Sequence, residues 1–223
     1  MEKKMSRREF LKTSAATGII LSMAPSITLA DEPKPIQLLT PQPGAGSPLM
    51  QLLWKRKSSR EFSPKPLPIE VLSNLLWTGF GINRPDGKRT APSARNWQDM
   101  DIYVILANGL YLYDAKANQL KLLLAEDLRG LAGTQAYVKE APVNLVYVSD
   151  YAKMGETPNE TKIFLSGSHA GFISQNVYLF CASEGLATVV RALIDIPALS
   201  KAMRMRPDQK IILAQSVGYP KTS

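Results

Sequence analysis

Three short apolar runs follow one another with almost nothing between them: DIYVILA (101–107), GLYLYD (109–114) and QLKLLLAED (119–127). Runs of this length, rich in β-branched and aromatic residues and joined by connections this short, predict an antiparallel meander with its second reversal at Asp114 to Asn118. VNLVYVS (143–149) predicts a further buried strand. A long helix follows over 163–184, then strands at ATVVRAL (187–193) and KIILAQSVG (210–218), with a short helix near 197–205 between them. Strands that arrive partly as hairpins and partly separated by helices define an α+β domain, with helices packed on a mixed, mainly antiparallel sheet. A doubly wound nucleotide fold requires regular alternation and a glycine fingerprint, and neither is present.

Composition narrows what such a domain does. With 45% apolar and 21% charged residues, the 223-residue chain has ordinary globular proportions, which exclude a disordered chain. One Cys excludes a disulfide framework. The count of one His excludes His-rich zinc sites and di-metal centres, and leaves little for a Ser-His-Asp triad. If the chain is an enzyme, the chemistry falls to something other than side chains.

The first thirty residues read as an address. A basic start is followed by a weakly apolar stretch broken by Gly18 and Pro25, then Thr28-Leu29-Ala30 before Asp31, the pattern of a signal peptide. Ser6-Arg7-Arg8-Glu9-Phe10-Leu11-Lys12 resembles the bacterial twin-arginine export signal at every position of S-R-R-x-F-L-K. That resemblance implies the twin-arginine export machinery as a partner, a periplasmic location, and passage in the folded state, commonly with a cofactor already inserted. Residues 1–30 hold five Lys/Arg and two Asp/Glu, so the net charge of +8 falls to +5 beyond them. Those cations are spread out, which argues against nucleic acid and leaves anionic ligands open.

Residues 31–47, rich in Pro and Gly, read as a linker or arm, and 48–223 as one domain. Leu49, Leu52, Leu53 and Trp54 share a helical face within 48–57, and a second helix over Ile69 to Gly79 buries Ile69, Leu72, Leu75 and Leu76. The stretch Gly81 to Arg89 faintly suggests a phosphate loop, but five residues separate its glycines and no strand precedes it, so it is a turn.

Three segments carry candidate chemistry. In WKRKSSREFSPKPLP (54–68), Arg56, Ser58 and Arg60 place two guanidiniums and a hydroxyl within five residues, with Lys57 adding charge; they suit a dianionic phosphate. A solvated basic helix end explains the same cations. In APSARNWQDMDIYVILA (91–107), Pro92, Ser93, Asn96 and Gln98 offer neutral donors and acceptors. In GLATVVRALID (185–195), Arg191 interrupts an apolar strand and either pairs with a buried carboxylate or faces a negative ligand. Cys181 reads as a small buried hydrophobe, Tyr178 as core, and His169 either as a satisfied hydrogen-bonding group or as a catalytic one.

Together these segments resemble the flavin-dependent nitroreductase family from about residue 48 to 220. Residues 54–68 are similar to its R-x-S-x-R-x-F element and residues 92–98 to its P-S-x-x-N-x-Q element. GFGINRPDGKRTAPSA and GSHAGFISQNVYLFCASEGLATVV look like the branch containing peptide azoline oxidases, a likeness that includes His169, Gln175 and Asn176. The resemblance implies a nitroreductase-like fold and a homodimer with sites at its interface. It also implies FMN held by Arg56, Lys57, Ser58 and Arg60, with Lys221 reaching the phosphate. Pro92, Ser93, Asn96 and Gln98 would approach the ring from the other subunit, and main-chain groups at Val190, Arg191 and Ala192 would pass its reactive nitrogen. FMN suits the clustered cations better than FAD, whose adenosine half needs a further pocket. The implied activity is ping-pong hydride transfer from a donor to a small organic acceptor, with a quinol or redox protein as donor outside the cytoplasm, and no single catalytic side chain. The alternatives are a flavin dehydrogenase acting on a peptide or heterocycle, and a binding protein that keeps the fold without redox chemistry.

Overall fold

Alternation builds the sheet. β2 (Met100–Leu106), β3 (Gly109–Asp114) and β4 (Gln119–Leu124) form the expected meander, in a computed structural model that describes residues 35–40 and 48–221. These lie in the second of two units into which the chain divides, Pro33–Ser223. The address at 1–30 lies outside the described residues, as does most of the arm at 31–47.

Around the meander stand β1 (Ile36–Gln37), β5 (Val143–Asp150), β6 (Ala187–Arg191) and β7 (Gln209–Gly218), in the order β1-β4-β3-β2-β5-β7-β6. Every pairing among the described strands is antiparallel, so the sheet lies at the antiparallel limit and not the mixed one expected. β5, between β2 and β7, is buried at all eight positions, as a strand covered on both faces must be.

Its alternate residues serve two cores. Val143, Leu145 and Tyr147 face α2 (Ile69–Phe80) and α4 (Asn159–Glu184), which contribute Leu75, Leu76, Ile173 and Val177. Val146 and Val148 face the opposite side, where Leu199 of α5 (Ile196–Ala202) and Val138 of α3 (Tyr137–Glu140) close a second core. α4 ends at Gly185, whose φ of +66° a side chain would disfavour. Among the described residues no helix is long and apolar enough to cross a membrane.

Three expectations change. Ile69 opens α2 but is 41% exposed, since the first turn overhangs the sheet. The strand expected at 187–193 stops at Arg191. α1 (Leu49–Lys55) buries none of its residues: Leu49, Met50, Leu53 and Trp54 are all exposed, Trp54 at 87%. β1 was not foreseen. Its two residues pair with Gln119 and Leu120, Leu38 behind it is buried, and Asn118 Nδ2 donates to the carbonyls of Leu38 and Leu39 at 3.0 and 2.9 Å.

Candidate functional site

The segment after α1 leaves the helix at Arg56. Lys55 at the helix end, Lys57 and Ser59 line a cleft of about 320 Å³ beside Cys181, Leu186 and Thr188, and Arg56, Ser58 and Arg60 are not among its lining residues. Ser59 N–H donates to Thr188 O at 2.9 Å, which fastens the segment to the free edge of β6. The C-terminus joins the same place: Ser63 N–H donates to Tyr219 O at 2.9 Å and Lys221 N–H to Glu61 O at 3.3 Å. The structure thus gathers Arg56 and Ser58 on Tyr178, joins the Lys221 main chain to Glu61, next to Arg60 in sequence, and places Lys57 on the neighbouring cleft. None of these four cations appears in an ion pair among the described residues.

Tyr178 organises this cradle, a role its place in an apolar helix did not reveal. Its hydroxyl lies 2.8 Å from Ser58 Oγ and accepts Val190 N–H at 3.0 Å, while the Arg56 guanidinium sits 5.4 Å from its ring centroid. A buried phenol needs a partner for its hydroxyl, and that requirement was the available signal. Either hydroxyl can donate in the Tyr178–Ser58 bond; when Tyr178 donates, the Ser58 proton is left for an anion.

The loop before β2 forms a second group. Arg95, Asn96 and Gln98 take positive φ values of 50°, 54° and 46°, conformations that non-glycine residues hold only when their surroundings enforce them. Gln98 N–H donates to Ser93 Oγ at 3.0 Å. The Gln98 amide is consumed within the protein: its Oε1 accepts from Arg89 Nε at 2.8 Å, and its Nε2 donates to Gly87 O and Asn96 Oδ1 at 3.1 and 3.2 Å. Gln98 is thus a brace, and exposed Asn96 keeps its amide donors without a partner among the described residues. Pro92 is exposed beside it. Arg95 stacks over Trp97 at 5.4 Å, both lining a cleft of about 600 Å³ with Glu156, Thr161 and Leu165.

His169 lies beneath this loop, 2% exposed. Its Nε2 accepts Ala94 N–H at 2.8 Å and its Nδ1 meets Asp99 Oδ1 at 2.7 Å, while Ser149 donates to Asp99 Oδ2 at 2.7 Å. A ring nitrogen that accepts carries no proton, so the imidazole is neutral with its hydrogen on Nδ1. Burial pushes the Asp99 carboxyl up, but the hydrogen bonds from His169 and Ser149 outweigh it and hold it below the ordinary carboxylate value.

Arg191 fits neither expected alternative. It is 6% exposed, meets no carboxylate, and donates to Ser216 Oγ, Ala132 O and Asn144 Oδ1 at 2.8 to 2.9 Å. Burial lowers its pKa to about 10. It therefore does not reach a cofactor through its side chain. Val190 N–H is already taken by Tyr178, so exposed Ala192, just past the end of β6, is the remaining main-chain candidate on this strand. Cys181 is 1% exposed, and burial pushes its thiol well above the usual range, as expected of an inert hydrophobe.

Cations in no ion pair among the described residues beside a hydroxyl at one place, and the open amide of Asn96 at another, suit a ligand that carries a phosphate and a polar edge. The Nitroreductase family pattern matches residues 53–219, and the chain belongs to the nitroreductase family. A Methanocaldococcus jannaschii protein assigned to the nitroreductases is 29% identical over 151 residues, covering 63% of this chain and 76% of that one. A crystal structure from Ralstonia eutropha, also assigned to the nitroreductases, superposes with a TM-score of 0.83 at 40% identity, covering 87% of this chain and 93% of the other. A Desulfovibrio desulfuricans structure in complex with FMN superposes at 0.58 with 23% identity, covering 79% and 88%, a likeness of fold.

The Arg191 pocket generates a stability prediction. A Cβ on Gly133 would lie 2.5 Å from Arg191 Nε and 3.1 Å from Val138 Cγ2. Gly133→Ala should therefore cost about 1–3 kcal/mol by overpacking, read as a lower denaturant midpoint. An unchanged midpoint would show that the loop carrying Gly133 yields freely.

Proposed function

We propose that the chain is an exported FMN-dependent oxidoreductase of the nitroreductase family, acting as a homodimer on a small organic acceptor. The observation that carries it is Arg56 and Ser58 gathered on Tyr178, whose hydroxyl takes Val190 N–H of β6, while Ser59 joins Thr188 and Lys221 joins Glu61, with Arg56, Arg60 and Lys221 in no ion pair among the described residues. There the two guanidiniums grip the FMN phosphate, Ser58 donates to it, and Lys221 adds charge from the C-terminus. Asn96 presents its amide donors to the ring edge, and Ala192, just past the end of β6, offers its main chain. FMN, when bound, supplies hydride chemistry in two half-reactions of ping-pong order. Periplasmic placement by the twin-arginine machinery favours a quinol or redox protein as donor, because NADPH is confined to the cytoplasm.

Two observations support the dimer. His169 and Tyr178, which hold the two groups of residues, stand nine positions apart on α4, about 13 Å along its axis, so one chain's cradle and loop sit at separate places. Met50 and Trp54 of α1 are 66% and 87% exposed, large apolar side chains suited to cover by a second copy. A second reading, oxidation of a peptide or heterocycle, rests on the segments that resemble azoline oxidases, 79–94 and 167–190, which meet at the Ala94–His169 hydrogen bond.

Purified protein should be yellow, with absorbance near about 370 and 450 nm and FMN released on heating. Arg56→Ala with Arg60→Ala should purify colourless while Cys181→Ser stays yellow, and a yellow double variant would remove the phosphate assignment. Met50→Asp with Trp54→Asp should convert a sedimenting dimer into monomer; a wild-type protein that sediments as a monomer with flavin bound overturns the dimer. Arg7→Lys with Arg8→Lys should hold the protein in the cytoplasmic fraction, and unchanged fractionation would refute the export route.

A further inference from the structure

We propose that His169 is a positioning residue for the loop that faces the flavin ring. Through it, a buried chain from Ser149 to Asp99 to His169 fixes the main chain at Ala94 and so sets where Asn96 presents its amide. The inference rests on the flavin reading above.

The chain is continuous and dry. Ser149, Asp99 and His169 are 0%, 0% and 2% exposed, and their links measure 2.7 Å from Ser149 Oγ to Asp99 Oδ2, 2.7 Å from Asp99 Oδ1 to His169 Nδ1, and 2.8 Å from His169 Nε2 to Ala94 N. Both imidazole nitrogens are used, so nothing is left to exchange a proton with a substrate. What the ring does instead is orient a peptide. Asp99 fixes the tautomer, which makes Nε2 an acceptor, and the one donor that reaches it is the amide immediately before Arg95.

That position matters because the next residues are the unfavourable ones. Arg95 and Asn96 have φ values of 50° and 54°, and Gln98 follows at 46°. The loop is pinned at its far side by Gln98, through Ser93 Oγ and Arg89 Nε at 3.0 and 2.8 Å. At its near side the pin is the His169–Ala94 hydrogen bond. Asn96 lies between the two pins with its Nδ2 donors unused. Loss of the near pin lets Arg95 and Asn96 relax to negative φ, which turns the Asn96 amide away from a ring docked against it.

The test is FMN affinity of reconstituted apoprotein, followed by quenching of flavin fluorescence, with the melting temperature of the apoprotein as fold control. His169→Phe keeps ring volume and removes both hydrogen bonds; His169→Gln returns an acceptor at the place of Nε2. His169→Phe should raise the Kd about tenfold and His169→Gln should stay within about threefold of wild type, as expected for one hydrogen bond to a binding loop. A His169→Phe protein that binds FMN like wild type overturns the inference, as does a His169→Gln protein no better than His169→Phe. If His169→Phe does not fold, Ser149→Ala, which loosens Asp99 from behind, should still raise the Kd about twofold to threefold, and an unchanged value overturns the inference. Wild-type apoprotein that takes up no FMN removes the flavin reading and this inference with it, whereas equal binding by wild type and variant removes this inference alone.

Discussion

Helix α4 lies against the sheet through Ile173 and Val177 and buries polar side chains as well: Ser166 and Ser174 bond to carbonyls of the helix itself, whereas the two large ones, His169 and Tyr178, reach outside it. Each is buried, so each must find partners inside the protein or cost about 1–3 kcal/mol in unmet hydrogen bonding. The partners they find lie far away in sequence: Ala94 and Asp99 for His169, Ser58 and Val190 for Tyr178. Both candidate segments for ligand binding are irregular backbone, with no sheet ladder of their own to hold them. The helix supplies what they lack. Its apolar packing sets where the two polar groups stand, and these in turn set where the cradle and the loop can settle.

Charge is handled differently in the core and at the surface. Arg191 is enclosed by a hydroxyl, an amide and a carbonyl, all neutral, and its depressed pKa reflects the cost of that enclosure. It holds β6, β7 and β5 together with the turn at Ala132, a structural use of a guanidinium's fixed geometry. Arg56 and Arg60, at a more open place, meet no carboxylate among the described residues. A cation buried on neutral acceptors is already committed, while a cation in no ion pair can take an anion. This distinction, and not the number of cations nearby, separates Arg191 from the arginines proposed to bind.

The strands and the long helix were legible because their periodicity extends over enough residues to leave one reading. β1 was not, since two residues in a Pro-rich stretch show no period, and what orders them is Asn118 reaching back some eighty positions. Arg56, Ser58 and Arg60 could be read as a group from spacing alone, but nothing in the spacing placed Lys57 with Lys55 and Ser59 on the cleft beside Cys181. Gln98 looked available because an amide looks the same whether free or consumed; its consumption depends on where Arg89 folds back. Val190 and Tyr178 obscured each other in the same way. Contacts made across long loops decide which of several chemically suitable groups remain open, and local pattern does not reach that far.

The cradle also bears on when the protein is most stable. Arg56 is preset over the Tyr178 ring, which orients it at little entropic cost for an anion that binds there. A ligand that binds only the folded form stabilises it by about 2.7 kcal/mol at a free concentration one hundred times its Kd. FMN taken up before transport would therefore protect the folded state at the seam between β6 and the C-terminus. A route that carries proteins across a membrane already folded suits a domain whose last segment is fastened to the stretch from Glu61 to Lys65, through main-chain bonds to Ser63 and Glu61, the Phe62–Pro220 bridge and the Lys65 ammonium over the Tyr219 ring. The export signal proposed at Arg7 and Arg8 and the cofactor proposed at Arg56 and Arg60 then become one requirement, that the chain be loaded before it leaves.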